Sequence, residues 1–135
     1  MPIVQTTMKW ILAIFAVLGG WLSGGIAGII AAGLAGFWDR PIGGFGAAFV
    51  TVVVAYLAAP NHKLLSASVV LVLGAVLAWL ALEPSFYPKS YRGSAYERTH
   101  LPIIATYMGA VLGLALVVTL NWRAGPDNPF KPAGR

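Results

Sequence analysis

Residues 10–38 read WILAIFAVLGGWLSGGIAGIIAAGLAGFW, a run with no charged side chain and a tryptophan at each end. A bilayer's hydrocarbon core of ~30 Å is crossed by about 20 apolar residues rising ~1.5 Å each, so this run crosses once with several residues to spare. The excess must be absorbed by tilting, bending or projecting. Three more charge-free stretches follow, at 41–62, 64–82 and 99–122. Together they predict an all-α integral membrane protein of four transmembrane helices, at about 11–37, 42–59, 64–82 and 102–122. The short turns predict an antiparallel bundle with a long first helix. Residues 1–122 then form the transmembrane domain, and 123–135, with three prolines and two glycines, form an extended or disordered tail.

The composition agrees with that division. Of 135 residues 59% are hydrophobic and 10% charged, against roughly 45–50% and about 25% in soluble domains. The longest connection, 83–100, is too short to carry a core of its own. The first run is also too long for the ~7–15-residue apolar region of a signal peptide, so it is read as a retained helix. Every proline falls outside a predicted span or in its first turn, where a missing N–H is tolerated. Trp10, Trp38, Trp79 and Trp122 lie near span ends, as aromatic belts require, whereas Trp21 lies inside the first span.

The absence of cysteine excludes disulfides, thiol nucleophiles and Cys-ligated metals. A net charge of +5 without a basic run fits membrane topology and anionic headgroups better than nucleic acid. Four spans put both termini and the 60–63 turn on one side. Five Lys and Arg residues lie there, against four on the other, so the positive-inside rule favours cytoplasmic termini in a bacterial-type inner membrane.

Ten of the 16 glycines fall within residues 19–46. Gly20, Gly24, Gly28, Ala32 and Gly36 recur every four residues and share one helix face, with Ser23, Ala27, Ala31 and Ala35 in an adjacent row. Ala105, Gly109 and Gly113 repeat the spacing in the fourth span. Gly43, Gly44 and Gly46 give the second span a smooth start without one phase. Small-residue rows let backbones approach closely where lipid removes the hydrophobic driving force between helices. The row in the first span therefore predicts a packing seam, serving either helix 2 or 4 internally or a second subunit.

Chemistry at membrane depth is sparse. No ionisable residue lies in the central part of any span, whereas ion-coupled transporters usually carry one there. Ser23, Thr51, Ser66, Ser68, Thr106 and Thr119 can bond their own helix carbonyls. His62 and His100 belong to opposite sides, so they cannot share a metal or flank one haem within a protomer, though each could ligate a haem or pigment singly. No triad, zinc signature or phosphate loop appears, and no cofactor is implied. In the connection 83–100, Tyr87, Tyr91, Arg92, Tyr96 and Arg98 combine residue types suited to a partner surface or to lipid headgroups.

The reading these features favour is a non-catalytic accessory or scaffold subunit that packs through the helix-1 seam into a larger membrane assembly. Its expected partners are the bilayer and other membrane subunits or further copies of itself, with no nucleic acid. The alternative is a homo-oligomeric channel or passive small-solute transporter using hydroxyl faces such as those of Ser66 and Thr106. A lipid or quinone enzyme using Tyr91 or His100 has the least support. The spans make one prediction directly: the protein should stay in the membrane pellet after an alkaline carbonate wash and be released by detergent. Appearance in the carbonate supernatant would refute them.

Overall fold

The computed structural model describes residues 2–82, 85–88 and 96–123. Four helices, α1 Pro2–Ala35, α2 Asp39–Ala58, α3 Lys63–Leu82 and α4 Leu101–Arg123, are each long and apolar enough to cross a membrane. Three begin within a few residues of the predicted starts. The exception is α1, which begins nine residues before the predicted start and runs unbroken for 34 residues, about 51 Å at the α-helical rise. Gln5, Thr6, Thr7 and Lys9 are polar but helix-compatible, so hydropathy marks an edge there that the backbone does not share. Thr6 and Thr7 bond back to the carbonyls of Pro2 and Ile3, both at 3.0 Å.

The end of α1 is set by Gly36, whose φ of +73° is the left-handed conformation that glycine adopts without a steric penalty. The Phe37 N–H donates to the Ala32 carbonyl at 2.9 Å and the Gly36 N–H to Gly33 at 3.3 Å, the two bonds of a Schellman stop. Gly36 therefore departs from its predicted place in the packing seam: it ends the helix, and nothing lies within 4 Å of the Cβ position it lacks. At the next break Ala59 and Pro60 close α2, and His62 takes a positive φ of 47° before α3 begins. At the start of α4 the His100 carbonyl accepts the first helical bond, from Ile104 at 3.0 Å. His100 is thus the cap position.

The connection between α3 and α4 contains the only strands among the described residues. Strands β1 Ser85–Pro88 and β2 Tyr96–Thr99 pair antiparallel, with Ser85 opposite Thr99 and Pro88 opposite Tyr96. Prolines exclude a helix here, and the aromatic and β-branched residues favour the pleat. Tyr87, Tyr96 and Arg98 fall on these strands, while Tyr91, Arg92 and the tail 124–135 lie outside the described residues.

The centre of the bundle is α2. It makes extensive contact with α1 and α4 and lesser contact with α3, which also touches α4. The side chains of Val52, Tyr56, Ala67, Ala110 and Val117 form the buried core between α2, α3 and α4, with Leu64, Leu71 and Leu114 packed against it. Elsewhere large apolar side chains point outward all round the molecule, from Phe15 at 67% exposure to Leu80 at 73%. Water would not tolerate such a surface; lipid would.

The fold predicts a sharp contrast between glycines. A Cβ on Gly28 would lie 2.5 Å from the Ile42 carbonyl oxygen, and one on Gly109 would collide with the Phe45 carbonyl, whereas Gly19 and Gly74 have nothing within 4 Å. Gly28→Ala and Gly109→Ala should each lower stability in detergent by about 1–3 kcal/mol, the usual cost of overpacking. Gly19→Ala and Gly74→Ala should be neutral or stabilising, and thermal unfolding of the four variants checks the order.

Candidate functional site

The predicted seam residues converge on α2 from two sides. On one side, Gly20 faces Val54, Gly24 faces Gly46 and Val50, and Gly28 faces Ile42 and Gly43. Partner numbers fall as the α1 numbers rise, so the two helices run in opposite directions. The approach is backbone on backbone: a Cβ on Gly24 would lie 2.5 Å from the Gly46 oxygen, and one on Gly46 would lie 2.5 Å from the Gly24 oxygen. Ala32 is fully buried further along the row.

On the other side, Gly109 faces Phe45, and Gly113 faces Phe49 and Val52. Here partner numbers rise together, so α2 and α4 run in the same direction. Ala105 is only partly buried. Gly44 also belongs to this contact, meeting the Thr106 hydroxyl, while Phe45 and Phe49 stack at 6.2 Å between ring centroids. The two glycine rows therefore do not meet each other; α2 stands between them. The irregular phase of Gly43, Gly44 and Gly46 reflects this, because Gly43 and Gly46 serve α1 while Gly44 serves α4. That irregularity was the sequence signal of a two-faced helix.

Hydroxyl groups are absorbed locally. Thr51 donates to Ala47 at 2.5 Å, Ser68 to Leu64 at 2.9 Å, Thr106 to Pro102 at 2.8 Å and Thr119 to Ala115 at 2.8 Å, all within their own helices. Two tyrosines instead tie helices together. The buried Tyr56 donates its hydroxyl to Asn121 Oδ1 at 3.1 Å, linking α2 to the last turn of α4, and Lys63 Nζ lies 6.0 Å from the centre of its ring. Tyr107 of α4 donates to the Ala75 carbonyl of α3 at 3.0 Å. Sequence alone did not pair these groups, since they are 65 and 32 residues apart.

Beside Tyr107 an open groove of about 360 Å³ runs along α3, lined almost wholly by apolar groups including Leu71, Val76 and Trp79. Among the described residues no three His, Asp or Glu side chains are grouped to hold a metal ion. His62 and His100 sit at opposite ends of the bundle, in the α2–α3 turn and at the start of α4. No protein-family model, curated protein or solved structure matches the chain.

The two tyrosine links give the next prediction. Tyr56→Phe and Tyr107→Phe keep the ring and remove one interhelical hydrogen bond each, which inside membrane proteins is worth about 0.6 kcal/mol on average and at most ~1.7. The two costs should be similar, because Asn121 is exposed and can find another donor, and the Ala75 carbonyl lies within a helix. Unfolding in mixed micelles compares them.

Proposed function

We propose that the protein inserts in a membrane as a four-span, non-catalytic accessory or scaffold subunit of a larger assembly. The observation that carries this reading is the isolation of α1. It is the longest helix, yet it makes extensive contact with α2 alone, and Val4, Met8, Phe15, Leu18 and Leu22 are all more than half exposed. A helix held by one neighbour, with most of its circumference bare, is well placed to receive another subunit.

The seam first expected to hold that subunit is filled by α2. In this proposal the partner contact therefore lies on the other side of α1, over large side chains. The glycine row acts one step earlier, mounting α1 on the bundle. In the connection between α3 and α4, Tyr87, Tyr91, Arg92, Tyr96 and Arg98 supply a second contact, to a partner or to headgroups.

Orientation is part of the proposal. The α1–α2 register puts Lys9, Lys63 and Arg123 toward one end of the bundle, while Asp39, Arg40, Glu97 and Arg98 belong to the other. That distribution supports cytoplasmic termini in a bacterial-type inner membrane.

Affinity purification of the full chain from native membranes in mild detergent, followed by native mass spectrometry, tests the assembly reading. The expected result is a stoichiometric complex heavier than one protomer. A monodisperse single protomer retaining its lipids would overturn it.

A further inference from the structure

The register of the β1–β2 hairpin sorts its residues by character. In an antiparallel pair, residues directly opposite each other share a face, and successive residues alternate between faces. Ser85 opposite Thr99 and Tyr87 opposite Glu97 therefore belong to one face, and Phe86 opposite Arg98 and Pro88 opposite Tyr96 to the other. The first face holds the acid of the two strands together with three hydroxyl residues. The second holds their cation, two aromatics and a proline. Tyr87, close to Tyr96 and Arg98 by composition, is thus separated from them by register.

The hairpin also has a fixed height. Trp79, 55% exposed, lies one turn before α3 ends at Leu82, and an outward-facing tryptophan near a span end sits at headgroup level. Ser85 follows Leu82 by three residues and Thr99 precedes Leu101 by two, so the base of the hairpin falls in the headgroup layer, which is about 5–8 Å thick on each side of the bilayer. A four-residue strand is about 13 Å long. Standing upright, the hairpin would carry its far end through that layer into water. Among the described residues neither strand makes extensive contact with a helix, so the bundle gives the hairpin little support, and a two-stranded hairpin alone in water is marginal. Lying flat, it would be supported along one whole face.

We infer that the hairpin lies flat on the bilayer, with the face of Phe86, Pro88, Tyr96 and Arg98 on phospholipid headgroups and the face of Ser85, Tyr87, Glu97 and Thr99 toward water. The inference rests on the membrane reading above and chooses headgroups over a partner chain for this contact. Charge decides which face is down. Headgroup phosphates attract a guanidinium, which can pair with them bidentately, and repel a carboxylate. Aromatic residues favour the same layer. Both criteria select the same face. Because α3 and α4 tether the base, that face meets headgroups at high effective concentration and needs little affinity of its own.

The chain contains no cysteine, so a fluorophore can be placed at one chosen position at a time. With the full chain in nanodiscs of phosphatidylcholine and phosphatidylglycerol, lipids bearing a headgroup nitroxide should quench the label on Phe86→Cys and Tyr96→Cys at least about three-fold more than on Tyr87→Cys and Glu97→Cys. The compared positions are sequence neighbours, so depth is nearly matched and face is the variable. Arg98→Gln should lower the ratio of docked to undocked hairpin, read from quenching at Phe86→Cys, about five-fold, whereas Ser85→Ala should leave it unchanged. None of these positions belongs to the bundle core, and an unchanged unfolding temperature verifies that each variant keeps the fold. Equal quenching on both faces, the opposite preference, or no effect of Arg98→Gln would overturn the inference. Shielding of the Phe86 face from aqueous iodide in native membranes but not in pure-lipid nanodiscs would show another subunit covering it, overturning the headgroup contact while leaving the scaffold reading standing. Release of the chain by the carbonate wash would overturn both.

Discussion

Everything in this molecule hangs on how closely two backbones come to α2. At Gly24 and Gly46 each chain occupies the place where the other would carry a Cβ, and at Gly28 and Gly109 a carbonyl oxygen does the same. In a bilayer, contacts of this closeness would replace the expulsion of water as the source of helix adhesion, because apolar side chains gain little by leaving lipid for one another. The penalty for glycine in a helix, about 1 kcal/mol in water, is offset by dispersion contacts along two faces of one helix. With α2 fixed on both sides, the core of Val52, Tyr56, Ala67, Ala110 and Val117 needs only medium-sized side chains to fill it.

Segment type was legible in the sequence because hydropathy and proline position report on it directly. Four apolar helices stand where the sequence has four charge-free stretches, although three of them take in charged residues at the start. The start of α1 was not legible, since Gln5, Thr6, Thr7 and Lys9 look like an aqueous margin to a hydropathy argument and like ordinary helix formers to a backbone. Gly36 was misassigned for a related reason. It fits the four-residue spacing of the seam, and only its φ of +73° shows that the helix has already ended.

The seam itself shows the difference between composition and partnership. Spacing revealed that Gly20, Gly24 and Gly28 form a smooth face; it could not say what lies on that face, because small residues carry no address. The answer came from α2, whose glycines serve two directions at once. In contrast, the Tyr56–Asn121 and Tyr107–Ala75 links carry direction and length, but they join residues far apart in sequence and become readable only once the helices are placed. Packing surfaces are thus visible early and their occupants late.

The common direction of α2 and α4 has a consequence for how the protein is made. Helices α1 and α2 are consecutive and can zip together as soon as both have left the ribosome. The opposite face of α2 faces a longer wait. Phe45 and Phe49 meet Gly109 and Gly113 only after α3 and the whole hairpin connection have been synthesised, so that face stays bare through the making of more than forty residues. Non-local contacts of this kind are the slow ones and the exposed ones. Chain order thus makes the α1–α2 contact the first of the two that synthesis allows and the α2–α4 contact the last.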